Sequence, residues 1–200
     1  IVPLHFPSTL SLRLYLMLAA TLLSNLFVFG LYFMRGRMVL RLSWPDLGWR
    51  LPEKKQALLW PLYFFFALFA FNYLYSQLLH WLHLGRPTQA VSNFFSPNQP
   101  ISIQILGLLL VLLAAPIAEE LLYRGILFSA LRRNASPHAA AMISGLVFGA
   151  VHIESLTIIP LAFLGYLLAL SFHYTRSLWV PIALHATNNF MAFLFLHLFR

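Results

Sequence analysis

From Ile101 to Leu131 the chain reads almost wholly as leucine, isoleucine, valine and alanine, yet Glu119, Glu120 and Arg124 stand inside that run. A helix of this length would rise about 46 Å at 1.5 Å per residue. The hydrocarbon core of a bilayer is about 30 Å thick and takes roughly 20 apolar residues to cross. A chain carrying such a run belongs in a membrane. A charge held at that depth costs about 2.5–3.5 kcal/mol on insertion scales, so residues kept there are candidates for function. Pro116 either kinks this helix or divides it in two.

Other apolar runs flank this one. Leu10–Met34 is interrupted chiefly by Arg13, Ser24 and Asn25, and Gln56–Leu82 is rich in Phe and Tyr. Ser136 and Pro137 form an N-cap and first-turn pair, so a helix starts there and runs to about His152. Leu156–Tyr174 and Leu178–Phe199 follow, the last with Pro181 in its first turn. The expected fold is all-α, a polytopic transmembrane helix bundle of six spans, or seven if Pro116 splits the third run. Composition agrees: 9% of residues are charged, against about 25% in soluble domains. No polar linker or repeat divides the chain. Residues 1–200 read as one transmembrane domain, with non-catalytic spans and an interfacial loop in 1–100 and a catalytic helix core in 101–200. The first apolar run is too long for a signal peptide. The chain opens on Ile1, which leaves room for a native start upstream.

The net charge of +8 does not point to nucleic acid. The basic residues sit in loops between apolar runs, the pattern of cytoplasmic loops in membrane proteins. Arg35, Arg37, Arg41, Arg50, Lys54 and Lys55 follow the first run, Arg132 and Arg133 the third, and Arg176 the fifth. With six spans these fall on one side, and both chain ends lie on the other with Arg13, Arg86 and Arg200. Trp44 and Trp49, with the turn formers Pro45, Gly48 and Pro52, set the first basic loop at the membrane interface. The absence of cysteine excludes disulfides, thiolate metal sites and cysteine nucleophiles.

Three groups of polar residues carry the chemistry. On a helix Glu120 and Arg124 are four apart and can pair. Glu119 points about 100° away and is left without that arginine. An unpaired carboxylate out of water suits proton transfer near neutral pH; the plainer reading is an ion-pair cluster that fixes helix packing. Ala141, Gly145 and Gly149 form a small-residue face that admits another helix closely. Phe148 and His152 lie on a neighbouring face, which points His152 into the bundle. A lone histidine at a helix end is otherwise a packed or interfacial residue. His185 and Asn189 are four apart on the last run and face one way; interhelical hydrogen bonding would account for them equally. His5, His80, His83, His138, His173 and His197 fall near span ends and read as interfacial.

These residues resemble the motifs of the CAAX protease and bacteriocin-processing family, also called the abortive-infection family. Glu119-Glu120-Leu121-Leu122-Tyr123-Arg124 matches its EExxxR motif, Phe148-Gly149-Ala150-Val151-His152 its FxxxH motif, and His185-Ala186-Thr187-Asn188-Asn189 its HxxxN motif. The order and separations match as well, over roughly residues 100–195. The resemblance implies an intramembrane endopeptidase of the type II CAAX prenyl endopeptidase kind. Under it, Glu119 and His152 activate the attacking water, His185 and Asn189 stabilise the oxyanion, and Glu120, Arg124 and Phe148 support the site. It implies a membrane-associated protein or peptide as substrate, the lipid bilayer as surroundings, a bacterial inner membrane as location, and no nucleic-acid partner.

Two chemistries remain open for such a site. No cofactor is favoured, but Glu119, His152 and His185 could bind zinc as a two-histidine, one-glutamate set. Against zinc, HExxH is absent and the ligands would come from separate helices. Two other functions compete. Buried Glu, His and Arg also mark the path of a proton- or ion-coupled transporter, although a path would string them across the membrane. A non-catalytic immunity or scaffold protein could use the same fold.

Overall fold

A backbone at membrane depth has no water to bond and must satisfy its polar groups within the segment, which favours helices. The computed structural model describes residues 9–85, 99–152 and 156–198, and among these no residue is in a strand. The expectations that fall on His5, Arg86 and Arg200 lie outside the described residues. Six helices follow in order. They are α1 (Thr9–Phe33), α2 (Lys54–Trp81), α3 (Ile101–Leu131), α4 (Pro137–Ala150), α5 (Ile158–Thr175) and α6 (Trp179–Leu198). By length and composition, α1, α2, α3 and α5 can each cross a membrane.

The burial pattern is that of a protein dissolved in lipid. Leu23 is 68%, Phe27 66% and Phe66 79% exposed, while Glu120 and Arg124 are fully buried. Large apolar side chains point outward while the Glu120 and Arg124 charges are held inside, so the chain is an integral membrane protein. The helix α4 is an exception in length. Its 14 residues rise only about 21 Å, less than the hydrocarbon core. It ends at Ala150, short of the expected His152. His152 stands in the turn that follows.

Pro116 does not divide the third run, and there is no seventh span among the described residues: α3 is continuous from Ile101 to Leu131. The proline is absorbed by a change of winding. Leu110–Ala114 is π-helical, as is Leu121–Phe128 further along. A π turn bonds each N–H five residues back rather than four, and the Ala115 N–H does bond Leu110 O. The next carbonyl, Val111, would take its bond from residue 116, where proline has no N–H. That orphaned carbonyl becomes part of the site described below. The widened turns are the physical answer to a proline in the middle of a long helix.

The small-residue face of α4 packs on α5 as its pattern predicts. A Cβ placed on Gly145 would come within 2.5 Å of Ala162 O and 2.7 Å of Tyr166 N. One on Gly149 would collide with the Ile158 carbonyl, and one on Gly165 would reach Gly145 Cα at 2.9 Å. The two backbones therefore touch, and only glycine fits between them. Ser136 caps α4 as expected, accepting from Ala139 N–H at 3.2 Å.

The basic loop after α1 begins as helix, since α1 continues as a π-helical stretch over Met34–Val39. It then folds onto the bundle through Tyr32, whose hydroxyl donates to the Leu47 carbonyl. Ser43 donates to Asp46 from both its hydroxyl and its backbone N–H. Those bonds hold the exposed Asp46 carboxyl below its usual range.

Candidate active site

The α3 register sends its adjacent glutamates in different directions. Glu120 is fully buried and accepts from Arg124 Nη1 at 2.9 Å. Arg124 is buried as deeply, and its Nη2 donates to the Gly165 carbonyl of α5 at 2.9 Å. The pair expected from sequence is thus present and ties α3 to α5. Glu119 keeps 29% of its side chain exposed and faces a cavity.

His185 bridges the two carboxylates. Its Nδ1 lies 2.9 Å from Glu120 Oε1 and its Nε2 lies 3.8 Å from Glu119 Oε2. The contact with Glu120 was not legible from sequence, because it joins residues 65 apart on different helices. Glu120 therefore orients a histidine as well as neutralising an arginine. With Nδ1 donating to the Glu120 carboxylate, Nε2 is an acceptor in the neutral ring and a donor in the charged one.

His152 is held differently. Its Nδ1 lies 2.8 Å from the Phe148 carbonyl, one turn back. A carbonyl only accepts, so that nitrogen carries the proton and Nε2 of the neutral ring is left as an acceptor. Phe148 is the shared support. It is fully buried, with its ring centroid 5.0 Å from that of His152, 5.7 Å from that of His185 and 5.1 Å from that of Tyr123. The Arg124 guanidinium lies over its face at 5.1 Å. One aromatic ring fixes members of all three motifs.

Asn189 donates from Nδ2 to the Val111 carbonyl at 3.0 Å. This is the carbonyl that Pro116 leaves without a partner. One N–H of the amide is used, and the second remains for other duty. Asn189 is therefore anchored to α3 near the site, while Glu119 and His152 line the cavity itself.

That cavity has a volume of about 560 Å³. Glu119 and Tyr123 from α3 and His152 after α4 line one part; Thr21, Ser24 and Asn25 from α1 line another. The three α1 residues are spaced as one helical ridge. Sequence reasoning noted Ser24 and Asn25 as interruptions but gave them no role. The signal was there: polar residues at i, i+3 and i+4 in an otherwise apolar span. The Asn25 Nδ2 atom is buried with no hydrogen-bond partner among the described residues.

Among the described residues no three His, Asp or Glu side chains are grouped to hold a metal ion. Glu119 and His185 approach one another at 3.8 Å, and Glu119 and His152 share one cavity. What the arrangement offers is a carboxylate and an imidazole acceptor beside one cavity, with a second imidazole and an amide held nearby by Glu120 and the Val111 carbonyl.

Comparison with known proteins points the same way. Residues 101–191 match the model of a family described as type II CAAX prenyl endopeptidase Rce1-like. The chain is 29% identical over 126 residues to the protein named "Putative membrane peptidase YdiL" of Bacillus subtilis (strain 168). The alignment takes in 63% of this chain and 50% of that protein, so the chain spans about half the length of this curated relative. No solved structure matches the chain.

Proposed function

We propose, for a chain that belongs through residues 101–191 to the Rce1-like family of type II CAAX prenyl endopeptidases, an intramembrane endopeptidase acting on a membrane-associated protein or peptide. The observation that carries this reading is the shared cavity: Glu119 and His152 line one space, and Glu119 stands 3.8 Å from a His185 that Glu120 orients.

The proposed step is addition of water to the scissile carbonyl. Glu119 and the free Nε2 of His152 take the proton as the new C–O bond forms. The negative charge that develops on the carbonyl oxygen is met by Nε2–H of a doubly protonated His185 ring and the spare N–H of Asn189. The C–N bond then breaks, and the proton held by Glu119 or His152 passes to the leaving amine. In this reading Glu120 and Arg124 position rather than react. Glu119 and His152 line one cavity, and His185 approaches Glu119 at 3.8 Å; a cluster of this kind, rather than a string of polar residues along a route, supports hydrolysis over transport. No step here requires a metal, and activity is expected to survive chelation.

The test is cleavage by purified protein in proteoliposomes, followed by mass spectrometry of co-reconstituted membrane peptides. Wild type is expected to release fragments that Glu119→Gln does not. Fragments appearing equally with both proteins would refute the role of Glu119. Glu119-dependent ion uptake without cleavage would favour a transporter.

A further inference from the structure

A second polar cleft lies at the membrane interface, away from the cavity of Glu119. Its volume is about 400 Å³, and Arg50, Glu53, Gln56, Tyr174 and Arg176 line it. We propose that it binds the phosphodiester of a phospholipid headgroup.

The cleft is built by long-range bonds. Arg50 Nε donates to the Arg176 carbonyl at 3.0 Å, and Ser177 Oγ donates to the Arg50 carbonyl at 2.5 Å. Leu178 N–H donates to the Gly48 carbonyl at 2.8 Å. These bonds staple the loop before α2 to the α5–α6 turn and fix two arginines beside one space. They use only Nε of Arg50. Both its terminal nitrogens, and the whole Arg176 guanidinium, have no hydrogen-bond or ion-pair partner among the described residues. Glu53 lies in the same cleft without forming an ion pair to either.

Arg176 also sits in a conformation that an arginine does not prefer. It ends α5 with φ +50° and ψ 24°, the left-handed region. Glycine takes that position without steric penalty and is the usual residue there. A side chain carried in spite of the penalty indicates a use for its guanidinium, and no carbonyl of the helix end receives it.

Three features select a lipid phosphate. The first is charge. Two guanidiniums and one carboxylate sum to +1, which matches the single negative charge of a phosphodiester, and guanidiniums are suited to phosphate oxygens. The second is depth. Trp49 meets Trp179 edge-on at 5.0 Å and Trp60 stacks on Tyr174 at 5.6 Å, and such aromatic residues sit at headgroup level. The third is the adjoining surface. Leu51, Leu58 and Leu62 are 85%, 68% and 64% exposed and lead from the cleft along α2, where acyl chains would lie. Glu53 is then placed to accept from the hydroxyl or ammonium of a glycerol or ethanolamine head.

The experiment uses delipidated full-length protein in a nonionic detergent and needs no knowledge of the substrate. Thermal unfolding and native mass spectrometry are followed as phosphatidylglycerol, phosphatidylethanolamine, diacylglycerol or inorganic phosphate is added. Both phospholipids are expected to bind one per chain and raise the unfolding temperature; diacylglycerol is not. Arg176→Gly should weaken phospholipid binding roughly tenfold or more, the worth of a lost charge-assisted bond. Without lipid it should unfold no lower than wild type, since glycine relieves the backbone. Arg176→Lys should bind with intermediate strength, and Arg133→Gln, which removes a charge elsewhere on the same face, should bind as wild type. Equal stabilisation by inorganic phosphate would reassign the cleft to a free anion and overturn the proposal. So would equal lipid binding by wild type and Arg176→Gly, or a loss of lipid-free stability in that variant, which would give the guanidinium to the fold.

Discussion

Glu119 and Glu120 are neighbours in sequence and opposites in surroundings, and their variants should separate accordingly. Glu119 makes no buried ion pair and faces the cavity. Glu119→Gln should lower turnover at least about 100-fold, the usual worth of a general base, while the unfolding temperature of the purified protein stays near that of wild type. Arg124→Ala would leave the buried Glu120 carboxylate with His185 but without its cation, and removing one partner of a buried pair costs about 3–5 kcal/mol. Its yield of folded protein, read by size-exclusion profile and unfolding temperature, should fall together with activity. Wild-type stability in Arg124→Ala would show that the pair does not hold the bundle. The split between the two glutamates was legible in the sequence because it is a matter of helical register within one segment. The bond from Glu120 to His185 was not, nor was the cavity that Asn25 and Glu119 share. Both depend on how separate helices come together, and no local period encodes that.

At the scale of the element, α3 shows how a proline becomes part of a site. The sequence allowed a kink or a break at Pro116, and the helix does not break there. It widened the turn and handed the unsatisfied Val111 carbonyl to Asn189. Pro116→Ala would return an N–H to α3 and compete with Asn189 for that carbonyl. If the amide is an oxyanion donor, turnover should fall as Asn189 loses its anchor, with the unfolding temperature unchanged or raised. Unchanged turnover in this variant would show that the anchor does not matter to the reaction. The pairing of α4 with α5 was easier to foresee, since glycines four residues apart announce a close approach without naming the partner. Gly149→Ala puts a methyl against the Ile158 carbonyl and should cost about 1–3 kcal/mol, as overpacking does. A thermal melt in detergent would read that loss.

At the scale of the molecule, the charged loops gather at one end. Arg35, Asp46 and Arg133 line a common cleft, and Arg50 and Arg176 line another. Loops far apart in sequence thus share one face, as the alternation of six helices requires. The count of basic residues foresaw that face, since it needs only the order of spans. The staple between Arg50 and Arg176 lay beyond it, because 126 residues separate them. The positive-inside rule predicts that this face is cytoplasmic, and the sequence offers a clean way to check. It has no cysteine, so each introduced thiol is the sole target of a membrane-impermeant maleimide. Cysteines placed at Lys55, Arg133 and Arg176 should all resist labelling in intact cells and react once the membrane is opened. A cysteine at His83, beyond the far end of α2, should label in intact cells. Labelling of one basic-face position from outside while the others stay protected would break the six-helix alternation. Labelling of all three from outside would keep the alternation and invert the molecule in the membrane. In that case the basic loops would not be what sets its orientation.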